Sequence, residues 1–151
     1  MAAQERMMPG RVQTMIDLAA ASHTNRELEL MLDGRKPLSV FYDEISCLPN
    51  EEIIPEERFR PYVEDGRFVR AETILNFGFD GSLGRDMQVK YVFFALSTEA
   101  WRIPAFILVK TVALQTQRNP EEMERLESML LGYKQEEVDA WCNHMYRRNE
   151  A

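Results

Sequence analysis

Two runs dominate the hydrophobic pattern, Met87–Leu96 (MQVKYVFFAL) and Arg102–Leu114 (RIPAFILVKTVAL), separated only by Ser97–Trp101. Both are rich in Val, Ile and Phe, and their apolar stretches fall well short of the roughly 18 residues a bilayer-spanning helix needs. They read as neighbouring buried strands, the spine of a sheet. Upstream, Arg67–Phe79 alternates as a half-buried strand does. Val69, Ala71, Thr73, Leu75, Phe77 and Phe79 fall on one face, and Arg70, Glu72 and Asn76 on the other. Asp80-Gly81 and Gly84 supply the turn of a hairpin into the Met87 strand. Pro37–Asp43 sets Leu38, Val40 and Tyr42 against Ser39, Phe41 and Asp43, a further strand.

Helical spacing governs the two ends of the chain. Val12, Met15, Ile16 and Ala19 predict a helix over Arg11–Ala21. Thr24 and Glu27 have the spacing of a capping box, opening a second helix whose stripe of Leu28, Met31 and Leu32 stops at Gly34. Pro55, followed by Glu56 and Glu57, predicts a helical turn that Pro61 ends. Near the C-terminus, Asn119-Pro120-Glu121-Glu122 supplies an N-cap, a first-position proline and an acidic first turn. Met123, Leu126, Met129 and Leu130 follow as its buried face, up to Gly132. Val138, Trp141, Cys142, Met145 and Tyr146 repeat as the stripe of a last helix, closed by Arg147 and Arg148.

The order ααβ(α)βββαα predicts an α+β fold. Its antiparallel sheet has about four strands (37–43, 67–79, 87–96 and 102–114), with the N-terminal and C-terminal helical pairs packed on one face. Residues 1–10, ended by Pro9-Gly10, read as a flexible lead, and 11–151 as a single domain, which the length of 151 residues suits.

Composition narrows the function classes. A 45% hydrophobic and 28% charged chain has the balance of a globular domain and argues against disorder. A formal net charge of −7 disfavours nucleic acid and anionic membranes as partners. Glu5, Arg6, Arg11, Gln13 and Asp17 interrupt any export-type apolar core near the N-terminus, and the two cysteines suit a reducing compartment. A cytoplasmic location is expected.

Few residues offer chemistry. His144 follows Cys142 by two positions, which on a helix separates them by about 200° and rules out a nucleophile–base pair. His23 lies between two helices beside Ser22 and Thr24, a place for packing or capping. Cys47 stands among Asp43, Glu44, Glu51 and Glu52, whose charge disfavours a thiolate, and Cys142 lies on an apolar stripe. The glycines of Gly78–Gly84 precede a strand, whereas a phosphate-cradling loop precedes a helix. No cofactor and no metal site is expected.

Charge placement is the feature that folding explains least. Asp43, Glu44, Glu51, Glu52, Glu56 and Glu57 crowd one irregular stretch that has no basic residue until Arg58, and Tyr42, Ile45, Leu48, Ile53 and Ile54 punctuate it. An acidic, partly apolar surface of this kind suits a basic protein partner. The leading expectation is therefore a non-enzymatic protein-binding domain, comparable in size and charge to immunity proteins, inhibitors and chaperone-like adaptors. The alternative is a small enzyme or ligand-binding domain with a cleft between sheet and helices, using Arg70, Glu72, Asn76, Tyr91 and Arg102. A third reading is a homodimer through the Met-rich terminal helices.

Overall fold

A computed structural model describes residues 26–45 and 54–147. The helix expected over 11–21, together with His23, Cys47, Glu51 and Glu52, lies outside the described residues. The described elements are α1 (Glu27–Leu32), β1 (Leu38–Glu44), α2 (Glu56–Glu64), β2 (Phe68–Asp80) and β3 (Arg85–Leu96). A 3₁₀ turn (Ser97–Glu99) follows, then α3 (Arg102–Thr116), α4 (Pro120–Leu130) and α5 (Gln135–Tyr146). The fold is α+β, and among the described residues the sheet has three antiparallel strands in the order β1-β3-β2.

The expected fourth strand, 102–114, is the helix α3. A run that is apolar all round carries neither a period of two nor one of 3.6, so its pattern cannot separate strand from buried helix. Pro104 was the discriminating residue. It sits in the first turn of α3, where its missing N–H removes no helical bond, whereas a central strand would lose a ladder bond there. The turn at Ser97–Glu99 and the helical backbone of Ala100 and Trp101 lead the chain off the sheet into α3.

The helices cover both faces of the sheet, not one. Val89, Tyr91, Phe93 and Ala95 of the central strand meet Ile103 and Phe106 of α3 and Leu130 of α4. On the other face, Val92 and Phe94 meet Met31 of α1 and Phe59 of α2, with Phe68 of β2. Phe59 stacks on Phe94 at 4.3 Å between ring centroids. A strand buried on both sides is apolar at consecutive positions, which explains the unbroken Tyr91–Ala95 run.

Two smaller departures share local causes. Pro61 does not stop α2, which continues to Glu64. Both Pro61 and Glu57 are exposed, so the carbonyl that loses its helical donor faces water. In β2, the step from Asn76 to Phe79 spans three residues against two from Gln88 to Asp86 in β3, which is a bulge. The extra residue puts Phe79 on the face of Asp86 and Gln88, the same face as Ile74 and Asn76, and so reverses the expected alternation. Among the described residues, no helix is long and apolar enough to cross a membrane.

Candidate functional site: an apolar and acidic hairpin tip

Among the described residues β1 ends at Glu44, opposite Val89, and beyond it the hairpin from Asn76 to Gln88 is a two-stranded ribbon. Its turn is internally braced. The Asp80 carboxylate accepts the backbone N–H of Ser82 at 2.8 Å, its hydroxyl at 2.6 Å and the backbone N–H of Leu83 at 3.3 Å, and these bonds hold the carboxyl below its usual range. Asn76 Oδ1 accepts the Gly78 N–H at 2.8 Å, while its amide donates to Asp86 at 2.9 Å. The backbone at Gly78 is left-handed (φ +94), as this bulge requires.

This ordered tip carries large apolar side chains in water. Phe79 is 72% exposed, Leu83 46% and Phe77 36%; Tyr42 on β1, 61% exposed, lies 5.6 Å from the Tyr91 ring on the opposite face of the sheet. Asp43, Glu44, Asp80 and Asp86 border them, against Arg85 and Lys90. Arg85 reaches Glu44 at 3.8 Å and Lys90 reaches Glu72 at 3.7 Å, both partly exposed pairs that screen little of the acidity.

The six acids expected to bind a partner are divided by the fold. Asp43, opposite Lys90, and Glu44 flank the ribbon. Glu56 and Glu57 open α2, where Glu56 accepts from Arg70 Nε at 2.9 Å and Glu57 from Arg60 Nη1 at 2.9 Å. The alternative set is also divided. Arg70 joins Glu72 at 2.6 Å, and Asn76 serves the bulge. Tyr91 lies on the opposite face, 5% exposed, its hydroxyl pushed up to about 12 by burial. Arg102 starts α3, bonded to Glu99 at 2.8 Å and to the Met129 and Leu130 carbonyls at 3.2 Å each, so it caps α4. Beside Arg70 runs an open groove of about 560 Å³, lined by Glu56, Arg60, Val63, Glu64, Arg70 and Phe94.

A second polar cleft, of about 440 Å³, opens between α3, α4 and the end of α5, and the sequence did not point to it. Lys110 pairs there with Glu127 at 3.3 Å, and burial pushes the Glu127 carboxyl up. Glu124 accepts the Tyr146 hydroxyl at 2.6 Å and the Trp141 indole N–H. Glu124 and Glu127 share a helix face by spacing alone, but reading α3 as a strand hid the partner Lys110. Cys142 is fully buried, and burial pushes its thiol up. Among the described residues, no three His, Cys, Asp or Glu side chains are grouped to hold a metal ion. Comparison with family models, with curated proteins and with solved structures finds no match.

Proposed function

We propose that this chain is a protein-binding domain that works by association and not by turnover, and that its partner presents a basic surface. The carrying observation is the braced ribbon tip, where Phe77, Phe79 and Leu83 stay in water beside Asp43, Glu44, Asp80 and Asp86. Exposed aromatic anchors on a rigid element lose little conformational freedom on binding, and a border of one sign steers an oppositely charged surface to them. An immunity protein, an inhibitor or a chaperone-like adaptor acting in the cytoplasm would use such a surface. Capture from the native organism tests this, with the full chain as bait beside Phe79→Ser and Leu83→Ser variants and a Met129→Ser control on exposed α4. The reading expects one protein lost with both tip variants and retained by the control. Equal recovery by all baits would overturn it.

A second reading rests on the α3–α4–α5 cleft. A half-buried carboxylate of raised pKa beside a lysine, in a concave site, is the arrangement of a small-ligand pocket. Ligand-induced stabilisation of the full chain that Lys110→Met abolishes would favour it.

A further inference from the structure

Among the described residues β2 pairs on one side only, with β3. Its other edge carries a row of backbone donors and acceptors, regular from Phe68 to Asn76 before the bulge. A sheet edge of this kind is completed by another strand, and the residue order of β2 indicates which one.

We propose that β2 pairs edge to edge with β2 of a second copy, antiparallel about a two-fold axis at Ala71, making one continuous six-stranded sheet. A two-fold axis normal to the sheet keeps each face on its own side, so facing residues share parity and the axis must pass through a residue position. Five such positions, 70 to 74, lie within the regular edge. An axis at Arg70 or at Glu72 sets like charges directly opposite each other, which is repulsive. An axis at Thr73 or Ile74 sets Arg70 against Asn76 or Gly78 and leaves the charges unmatched.

Only the axis at Ala71 matches residue types throughout. Arg70 then faces Glu72 of the other copy, twice by symmetry. Val69 faces Thr73, and Phe68 faces Ile74. Val69 is 38% exposed and Ile74 55% exposed in the single chain, and both gain neighbours of their own kind. The charges are already fixed in place. Arg70 is held by Glu56 and Glu72 on its own chain, and Glu72 also has Lys90 at 3.7 Å, so the joined edges carry alternating charge rather than two free ions. The paired segment ends before the bulge, and the contact is independent of the partner surface at Phe79 and Leu83.

Sedimentation equilibrium of the full chain tests this. The wild type is expected to reach twice the chain mass of 17.7 kDa with a concentration-dependent midpoint. Glu72→Arg keeps the Arg70–Glu56 pair but sets Arg against Arg, and should weaken the dimer tenfold or more. Arg70→Glu with Glu72→Arg and Glu56→Arg exchanges the two facing charges while keeping an ion pair between positions 56 and 70, and should restore it. Register is read by oxidation in a Cys47→Ser background, where Ala71→Cys is expected to link two chains. Val69→Cys should not, because position 69 of one copy stands four residues along the strand from position 69 of the other. A wild type that stays monomeric at high micromolar concentration overturns the proposal. A dimer indifferent to Glu72→Arg, or one that links equally well through 69 and 71, overturns it too.

Discussion

Gly132 leaves α4 in a left-handed conformation (φ +85) with its Cα pressed against Pro37, so that a β-carbon there would lie 2.4 Å from Pro37 Cδ. Two demands meet at this residue: the backbone sign favours glycine, and the proline ring forbids any side chain. The contact ties the α4–α5 turn to the entry of β1. Beside it, Lys36 Nζ donates to the Leu131 carbonyl at 3.1 Å and lies 5.2 Å from the Tyr133 ring centroid.

Gly132→Ala should therefore be far more damaging than an ordinary turn substitution. Left-handed backbone costs a non-glycine residue roughly 1–2 kcal/mol, and displacing a packed ring adds about 1–3 kcal/mol. Gly34 is the control: it also has positive φ (+72), but nothing lies within 4 Å of its would-be β-carbon. Gly34→Ala should cost only the backbone share. Urea midpoints at unchanged m would show the difference, and equal losses at the two sites would mean that Pro37 yields without cost.

Phe106 and Ile107 separate core from periphery within one helix. Phe106 is 4% exposed and meets Phe93 edge-to-face at 5.8 Å, whereas Ile107 only borders the same cluster. Phe106→Ala should lower stability by about 3–5 kcal/mol and Ile107→Ala by roughly half as much. In the strand expected from sequence, neighbours would point to opposite faces, and a sheet covered on one face only would have buried just one of them.

That contrast shows what the sequence made legible. β1, β2 and β3 fall within two residues of their expected spans, because alternation and the Asp80–Gly84 turn are local signals. α4 and α5 were legible for the same reason, through Pro120, the acidic first turn and the apolar stripes. The identity of α3 was not. Its residues are apolar on nearly every side although the fold fully buries only Ile103 and Phe106 and leaves Leu108 65% exposed, so its pattern does not select a conformation, and only Pro104 marked it as a helix. Misreading it also put all the helices on one face. At the candidate site, Asp43 and Glu44 were legible as acids next to Tyr42, Glu44 being exposed and Asp43 half-buried, but the outward placement of Phe79 depends on a one-residue bulge that no alternation pattern reveals.

Lys36 makes stability depend on pH in a definite direction. It is 3% exposed, and desolvation lowers its ammonium from 10.5 to about 8, with Glu27 and Glu137 opposing the shift. Because the folded pKa lies below the unfolded one, the unfolded chain binds more protons between about pH 8 and 10.5, and stability rises with pH in that window. Below pH 8 the full penalty of the buried charge is present. Lys36→Met removes the titration, so the variant's stability relative to wild type should fall by about 2–3 kcal/mol between pH 7.5 and 10, at 1.36 kcal/mol per unit. Measuring the difference between the two proteins cancels the tyrosines, whose own raised values act above pH 10. A flat difference would show that Lys36 keeps its ordinary basicity in the folded chain.

Charge reversal at the two ends of the acidic stretch should give opposite phenotypes. Glu56 is 28% exposed and holds Arg70 through Nε and Nη2, so Glu56→Lys faces Arg70 with a like charge and breaks the brace between α2 and β2. Removing one partner of a half-buried pair strands the other, and a loss of about 1–3 kcal/mol should follow. Glu44, 46% exposed with Arg85 at 3.8 Å, sits in the regime where surface pairs contribute at most about 1 kcal/mol. Asp43→Lys with Glu44→Lys should therefore leave the melting temperature nearly unchanged. If these acids steer a basic partner, the same variant should slow association with the captured protein about tenfold at low salt. Raising ionic strength should slow the wild type towards the variant and barely affect the variant itself, because screening removes only what the two carboxylates supplied. Stopped-flow association at two salt concentrations reads both effects. Unchanged rates for the doubly reversed chain would move the interface away from the end of β1, whatever Glu56→Lys does to stability.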